Sequence, residues 1–263
     1  NWNISLKRIS SKLVLSFDVV SDSGYTNNML IIGHRGAKGV APENTMESLQ
    51  AGYDAQADML EFDVRTTKDN VLVVIHDARL LRTHRRPVAI NTLTLEQLRE
   101  LTVHDPVPTL TEVLDEFYGR ILLNIEVKSR GAGEAVVKLL KKHYVTKASD
   151  WDNVLVSCFR SSELLRMRKL SSRVNLALLH DDNPFIFIAY QRRLRLTAVG
   201  FHRLYLNRFA LEIAKRSGLF IYVYTVNRIG AIQVLEQQGV DGVVTNYPES
   251  FRHYLQARSD LGG

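Results

Sequence analysis

The chain has 263 residues, of which 45% are hydrophobic and 24% charged, enough apolar material for one large α/β domain or two small ones. No run approaches the roughly 18 uninterrupted apolar residues of a membrane span, so we expect a soluble protein without stable membrane insertion. The net charge is +6 and the pI about 9.4, but the basic groups lie between periodic apolar positions, without an aromatic platform or groove-entering motif. We predict solvated helix faces and no nucleic-acid partner; the alternative is attraction of an anionic substrate or membrane surface.

The first 28 residues differ from the rest. Lysine and arginine precede the apolar run LVLSFDVV in the manner of an export signal, but Asp18 interrupts the run and no small-residue cleavage site follows. Met29 stands directly before the first convincing strand. We therefore predict residues 1–28 to be an extension outside the functional domain, residues 29–263 to form that domain, and the location to be cytoplasmic. A degenerate export signal is the alternative.

From residue 29 onward, strand-like runs alternate with helix-like runs. Predicted helices occupy about 44–56, 133–143, 161–170, 184–194, 207–218 and 229–239, with Gly218 and Gly239 as C-terminal caps. Predicted strands are MLII, MLEFDV, ILLNIEV, NVLVSCF, VNLALL, AVGF, FIYVYTV and DGVVTN. This alternation favours a single closed (β/α)8 TIM barrel over a doubly wound open sheet.

Two regions interrupt the regular order. VLVVI, after the KDN turn, fits either a hairpin-like extension or a separate element. From Ala78 to about Gly119, a short insertion after the second barrel strand contains two helical patterns, the second capped by Thr109 or Thr111. We expect this insertion to lie over the carboxyl-terminal mouth of the barrel and to shape its entrance.

A single cysteine, Cys158, excludes an intrachain disulfide and any multi-cysteine zinc site. It lies in the apolar run VLVSCF. We predict a small buried thiol, with a nucleophile as the minor alternative.

Four fragments place chemically active side chains at or just beyond apolar runs: IIGHRG, LEFDVR, VVIHD and NIEVK. Glu61 and Asp63 are two apart on a strand, so they share a face with about 6–7 Å between them along the backbone. Glu126 adds a third oxygen ligand, and an all-oxygen set favours Mg²⁺ or Ca²⁺ over zinc. Taken alone, Glu61 and Asp63 would also fit the solvent-facing edge of a strand.

His34 and His76 each follow an apolar strand, and two histidines near neutrality can act as acid and base. The guanidinium of Arg35 can donate paired hydrogen bonds to a phosphate. Lys128, on the same face as Glu126, can neutralise negative charge that develops on the phosphate. The alternatives are core or supporting histidines and a structural Glu–Lys pair.

In order along the chain, GHRGAKGVAPENTMESLQAG, LEFDVRTTKDNVLVVIHDARLLRT, LNIEVK, YVYTVN and GVDGVVTNYPE resemble the signatures of the glycerophosphodiester phosphodiesterase family. The resemblance runs from about Met29 to Phe251. It implies a barrel hydrolase that uses a divalent cation to split glycerophosphodiesters into sn-glycerol 3-phosphate and an alcohol. Carried over residue by residue, it implies an acid/base pair of His34 and His76, metal ligands Glu61, Asp63 and Glu126, phosphate-binding Arg35 and Lys128, and supporting Asn44 and Glu43.

Two positions depart from the family pattern. Tyr224 stands where tryptophan is usual, which keeps an aromatic wall for the glycerol moiety, and Asn246 stands where aspartate is common, which removes a charge. The short insertion resembles the compact cytoplasmic bacterial type.

Other functions fit the same residues. The runner-up is a lysophospholipase-D-like or phosphoinositide-cleaving enzyme acting on lipid diesters. A catalytically idle binding protein has no need of a paired acid and base. The sequence leaves open the alcohol, the metal, the division of labour between the histidines and the oligomeric state.

Overall fold

The computed structural model describes residues 4–9, 12–17 and 29–261. The strands are β1 Ile4–Ile9, β2 Lys12–Phe17, β3 Leu30–His34, β4 Met59–Thr66, β5 Leu72–Val74, β6 Leu122–Val127, β7 Val154–Cys158, β8 Asn175–His180, β9 Ala198–His202, β10 Phe220–Tyr224 and β11 Gly242–Thr245. The α-helices are α1 Met46–Asp54, α2 Leu81–His84, α3 Leu95–Leu101, α4 Leu110–Phe117, α5 Ala132–His143, α6 Ser161–Leu170, α7 Ile186–Leu194, α8 Arg208–Arg216, α9 Ala231–Gln237 and α10 Pro248–Leu261. Short 3₁₀ turns lie at Ile90–Thr92, Ala148–Asn153 and Arg203–Tyr205.

Eight parallel strands form a closed barrel, which confirms the predicted (β/α)8 fold. The strands follow one another as β3, β4, β6, β7, β8, β9, β10 and β11. The pairing of β11 with β3, from Gly242 opposite Leu30 to Thr245 opposite Gly33, closes the ring. Because strands in such a barrel are covered on both faces, they are made of nearly continuous apolar runs.

Side-chain parity decides what points into the barrel. Met59 and Leu122 belong to the apolar cluster that fills the interior, so residues two and four positions further along β4 and β6 share that inward face. Those residues are Glu61 and Asp63 on β4 and Asn124 and Glu126 on β6. The strand register sets Glu61 opposite Asn124 and Asp63 opposite Glu126, so polar side chains occupy the carboxyl-terminal end of the interior.

The open question about VLVVI is resolved as a hairpin. β5 pairs antiparallel with β4, with Val74 opposite Val64, and lies outside the barrel ring. The chain thereby turns back towards the mouth, where the Ile75 N–H donates to the Asp63 carbonyl at 2.9 Å. His76 follows directly, which is how a residue outside the barrel strands comes to the site.

The insertion carries helices α2, α3 and α4 on a small core of its own. That core contains Val73, Ile75, Leu80, Ile90, Leu93, Leu98 and Val107. Thr109, not Thr111, caps α4: its hydroxyl accepts from the Glu112 N–H at 3.2 Å, and the Glu112 carboxylate accepts from the Thr109 N–H at 2.7 Å. Helices α2 and α10 have no counterpart among the predicted elements.

Three smaller predictions concern single residues. Gly218 and Gly239 have φ values of 68° and 72°, the left-handed conformation expected of residues that follow a helix. Cys158 is fully buried as a free thiol, and burial raises its pKa to about 11. These findings confirm both the caps and the small buried thiol.

Within the first 28 residues, β1 and β2 pair as an antiparallel two-stranded sheet separate from the barrel sheet. Residues 1–3, 10–11 and 18–28 lie outside the described residues, and the assignment of 1–28 to an extension stays a prediction. Across the described parts of the chain, no helix combines the length and apolar character needed to cross a membrane. The cytoplasmic location also stays a prediction.

Candidate active site

Three carboxylates meet at the mouth of the barrel. Glu61, Asp63 and Glu126 each offer one oxygen, and these oxygens lie within 4.8 Å of one another. All three side chains are buried. The β4 and β6 register therefore brings together the acidic residues that the sequence predicted as one group.

Burial and neighbouring charges shift the pKa values of all three carboxyl groups. Burial and the charges of Asp63 and Glu126 raise the pKa of Glu61 well above its usual value, and burial together with Asp63 raises the pKa of Glu126 to about 7. Burial also acts to raise the pKa of Asp63, but the charges of Lys128 and Arg35 outweigh it, so that pKa is lowered. A cation within the cluster would allow all three groups to ionise together.

Two basic side chains stand among these acids. Arg35 Nε lies 3.2 Å from Asp63 Oδ2, and Lys128 Nζ lies 3.2 Å from Asp63 Oδ1 while also contacting Glu126 Oε1. Both side chains are largely buried. They are therefore held at the site, where an anionic group of a ligand can exchange for part of their carboxylate contacts.

The loop between β3 and α1 positions Asp63 and Arg35. The Asn44 side-chain amide donates to Asp63 Oδ2 at 2.9 Å, and its carbonyl oxygen accepts from the Asp63 N–H at 3.1 Å. Asn44 adopts a φ of 61°, a left-handed conformation that asparagine tolerates better than most residues. Glu43 accepts from Arg35 at 2.6 Å and from Lys38 at 2.8 Å, and also pairs with Arg82 of the insertion.

Both histidines are oriented through Nδ1. His34 Nδ1 lies 2.6 Å from Asn246 Oδ1, and His76 Nδ1 lies 2.6 Å from Asp77 Oδ1. Burial and the Arg35 charge lower the pKa of His34 to about 4. Burial also lowers the pKa of His76, although the Asp63 and Asp77 carboxylates oppose it. With Nδ1 engaged in both rings, Nε2 is the nitrogen left to exchange a proton with a ligand.

A pocket beside the carboxylates is lined by both polar and aromatic or apolar residues: His34, Glu61, Asn124, Glu126, Leu179, Tyr222, Tyr224 and Val244. The Tyr224 hydroxyl donates to the His180 carbonyl at 2.5 Å. Its ring meets Phe159 edge-on, with centroids 6.1 Å apart. Tyr224 therefore presents its ring to the pocket while its hydroxyl is bound to the protein.

The close approach around His34 and Arg35 is made by the protein's own backbone. A side chain at Gly36, whose φ is 86°, would meet the backbone of Ser48 at 2.3 Å. One at Gly33 would meet the carbonyl of Gly36 at 2.5 Å. The absence of side chains at these two glycines therefore allows the loop to pack against α1.

Three residues at the site received no role from the sequence. Asn124 lines the pocket, Asp77 binds His76, and Arg82 joins Asp77 to Glu43 with its Nε 2.7 Å from Asp77 Oδ2. The parity of Asn124 with Glu126 and the adjacency of Asp77 to His76 were the available signals. Arg82 gave none, because its position depends on the fold of the insertion.

Comparison with known proteins finds similar proteins that match most of the chain. The model of the Glycerophosphoryl diester phosphodiesterase family matches residues 34–250. A glycerophosphodiester phosphodiesterase of Bacillus altitudinis is 32% identical over 241 residues, covering 83% of this chain and 95% of the relative. The crystal structure of a glycerophosphodiester phosphodiesterase from Thermotoga maritima has a TM-score of 0.75 at 28% identity, covering 86% of this chain and 98% of that chain. An Oleispira antarctica phosphodiesterase, solved in complex with the product sn-glycerol-3-phosphate, has a TM-score of 0.76 at 25% identity. The match covers 88% of this chain and 96% of that chain.

Proposed function

The chain belongs to the glycerophosphoryl diester phosphodiesterase family, and on that basis we propose that it hydrolyses glycerophosphodiesters to sn-glycerol 3-phosphate and an alcohol. The observation that supports this most directly is the group of three buried carboxylates, packed with Arg35 and Lys128 at the mouth of the barrel. The name of the Bacillus altitudinis relative and the product bound to the Oleispira antarctica enzyme support the same reaction.

The residues present fit a divalent cation. All three acidic groups are buried and offer oxygen ligands within 4.8 Å of one another, and a cation among them would offset the repulsion between like charges held close together away from water. We propose that Glu61, Asp63 and Glu126 hold Mg²⁺ or Ca²⁺, which when bound supplies Lewis acidity towards a phosphoryl oxygen. Asn44 fixes the orientation of Asp63 through its two hydrogen bonds.

We propose that His34 and His76 move the protons of the reaction. One ring removes a proton from the nucleophile, either the neighbouring glycerol hydroxyl or water, and the other protonates the departing alcohol oxygen. The Nδ1 contacts to Asn246 and Asp77 hold each ring with Nε2 available. Arg35 and Lys128 offset the charge of the phosphate, and the ring of Tyr224 forms an apolar wall for the glycerol moiety.

The overall reaction is tested by product release. The protein is incubated with glycerophosphocholine or glycerophosphoethanolamine in the presence of Mg²⁺, Ca²⁺ or a chelator, and sn-glycerol 3-phosphate is measured. We expect release that depends on the added cation. If no diester yields the product with any cation, the proposal is wrong.

A substrate whose leaving group needs little protonation distinguishes the histidine that acts as acid from the one that acts as base. Glycerol 3-phosphate esterified to p-nitrophenol carries a leaving group that needs little protonation. We therefore expect one of His34→Ala and His76→Ala to recover most of its lost rate on this ester, which identifies the acid, while the other stays impaired. Near wild-type turnover of both variants on glycerophosphocholine would contradict the proposed pair.

A second candidate is hydrolysis of lipid diesters such as lysophospholipids. It is favoured by exposed apolar side chains in the loops after β8 and β9, including Leu204 and Phe209. Activity on lysophosphatidylcholine that rises sharply at micelle formation would support it. Activity confined to water-soluble diesters would exclude it.

A further inference from the structure

Exposed apolar side chains are concentrated at one side of the barrel mouth. Five of them lie in the loops and first helical turns after β8 and β9, and we call these residues the apolar rim: Phe185, Ile186, Leu204, Tyr205 and Phe209. Leu204 and Phe209 are 67% and 68% exposed. The rings of Phe185 and Phe209 contact each other across the two loops, with centroids 6.3 Å apart. Such a patch on a protein surface marks an interaction site.

The apolar rim continues from the wall of the pocket. Tyr224 lines the pocket, and its ring packs edge-on against His202 at 5.8 Å between centroids. The His202 ring in turn packs against the Tyr205 ring in a tilted arrangement, with 5.6 Å between the centroids. A chain of three rings therefore joins the site to the exposed surface, so whatever covers the rim lies beside the pocket entrance.

Local hydrogen bonds fix the shape of the loop between β9 and α8. The Asn207 side chain caps α8 by accepting from the N–H groups of Phe209 and Ala210 at 2.9 and 3.2 Å. The Leu204 N–H donates to His202 Nδ1 at 3.4 Å. The backbone is held while the Leu204 and Phe209 side chains point to solvent, so the exposure is a property of an ordered loop.

Positive charge is interleaved with these apolar residues. Arg203 precedes Leu204, and Arg208 precedes Phe209; both arginines are exposed. In the part of the chain that the structure describes, neither guanidinium forms a salt bridge or a hydrogen bond. The acidic residues Asp181 and Asp182 lie on the other loop, between β8 and α7, so the unpaired positive charge belongs to the segment that runs from β9 to the start of α8.

We propose that the apolar rim, together with Arg203 and Arg208, docks the protein onto an anionic phospholipid surface. Aromatic and leucine side chains enter the boundary between headgroups and acyl chains, and the two arginines bind lipid phosphates beside them. This pairing of apolar and basic residues on one short segment suits a bilayer better than a protein partner, whose contact surface would also have to pair the two arginines individually. Docking sets the pocket entrance against the lipid surface, and it does not require that the proposed hydrolysis occurs.

The proposal is tested by sedimentation of the full chain with vesicles. We compare vesicles of phosphatidylcholine alone with vesicles that also contain phosphatidylglycerol. Wild-type protein is expected to sediment with the anionic vesicles and much less with the neutral ones. Arg203→Ala with Arg208→Ala should weaken anionic binding about thirtyfold, as two surface arginines contribute about that factor. Leu204→Ser with Phe209→Ser should weaken it at least about tenfold.

Val234→Ser serves as the matched control. Val234 is also more than half exposed, but it lies on α9 away from the rim, so its replacement should leave vesicle binding unchanged. Circular dichroism and turnover of a water-soluble diester should be the same for all variants, since none of the altered residues lines the pocket. Wild-type protein that stays in the supernatant, rim variants that bind as wild type, or rim-dependent self-association without vesicle binding would each overturn the proposal.

Discussion

Asp63 lies at the centre of the site because three different parts of the chain hold it. Asn44 binds both its carboxylate and its backbone, Arg35 and Lys128 lie on opposite oxygens, and the Ile75 N–H fixes its carbonyl. These contacts orient one carboxylate oxygen towards Glu61 and Glu126. A change in any one of the supports is therefore expected to affect cation binding more than folding.

The support from Asn44 is tested by Asn44→Gly. Glycine keeps the left-handed backbone available while it removes both side-chain hydrogen bonds. We expect the affinity for Mg²⁺ or Ca²⁺, measured by isothermal titration calorimetry, to fall about ten- to hundredfold. Asn70→Gly is the matched control, because Asn70 has a similar φ of 64° but is exposed in the β4–β5 turn. Equal affinity of the two variants would show that Asn44 does not orient Asp63.

The ionised Glu43 carboxylate makes the stability of the fold depend on pH. Burial acts to raise its pKa, but hydrogen bonds from Arg82, Lys38 and Arg35 outweigh this and hold that pKa well below the ordinary 4.5. A carboxyl group of this kind stabilises the fold above its unfolded pKa, and the stabilisation is lost as the pH falls through its folded pKa.

We therefore expect Glu43→Gln to lower the free energy of unfolding at pH 7, with a difference from wild type that shrinks as the pH is taken below about 4.5. Urea unfolding at pH 7, 4 and 3 measures this. Glu47→Gln is the control, since Glu47 is exposed and forms no salt bridge within the described residues. A difference that stays constant with pH would contradict the assigned role.

At the scale of elements, the hairpin and the insertion decide how the site is completed. β5 returns the chain to β4, and the insertion places Arg82 between Asp77 and Glu43. Helices α3 and α4 are joined by the Arg99–Glu112 ion pair at 2.7 Å, and Glu112 also completes the cap of α4. The insertion thus connects the His76 side of the site to the loop that carries Glu43 and Asn44.

The cap of α4 is tested by two neighbouring threonines. Thr109→Ala removes the hydroxyl that accepts from the Glu112 N–H, and we expect it to cost about 1 kcal/mol of unfolding free energy. Thr111→Ala, in the exposed first turn of the same helix, should be within about 0.5 kcal/mol of wild type. Urea unfolding curves give both values, and equal losses would show that the cap contributes nothing specific.

At the scale of the whole molecule, the sequence was sufficient to predict the barrel and the grouping of the three acidic residues. Barrel strands such as ILLNIEV were recognisable because burial on both faces demands continuous apolar runs, and Glu61, Asp63 and Glu126 could be grouped because strand parity is strict. The hairpin at VLVVI stayed open because an apolar run of that length does not reveal its partner. Arg82 was missed because it is joined to Glu43 across 39 positions by the fold of the insertion. Helix α10 was missed because Phe251, Tyr254 and Leu255 are its main apolar contacts, a sparse pattern over 14 residues.

Cation binding should stabilise the entire fold, because the three carboxylates come together only in the folded chain. At a concentration a hundredfold above its dissociation constant, Mg²⁺ or Ca²⁺ is expected to add about 2.7 kcal/mol to the free energy of unfolding. The same binding is expected to raise Tm by about 5–10 °C. Differential scanning calorimetry with and without a chelator, at matched ionic strength, measures the shift. Glu61→Gln with Glu126→Gln should abolish it, and a shift that persists in this variant would place the cation elsewhere.

The central claim is that this barrel cleaves the bond between phosphorus and the alcohol oxygen of a glycerophosphodiester. It is tested most directly by turnover of glycerophosphocholine in ¹⁸O-labelled water, followed by mass spectrometry of the products. We predict sn-glycerol 3-phosphate with one ¹⁸O atom in its phosphate, together with unlabelled choline. Phosphocholine with glycerol, or label in the choline, would contradict it.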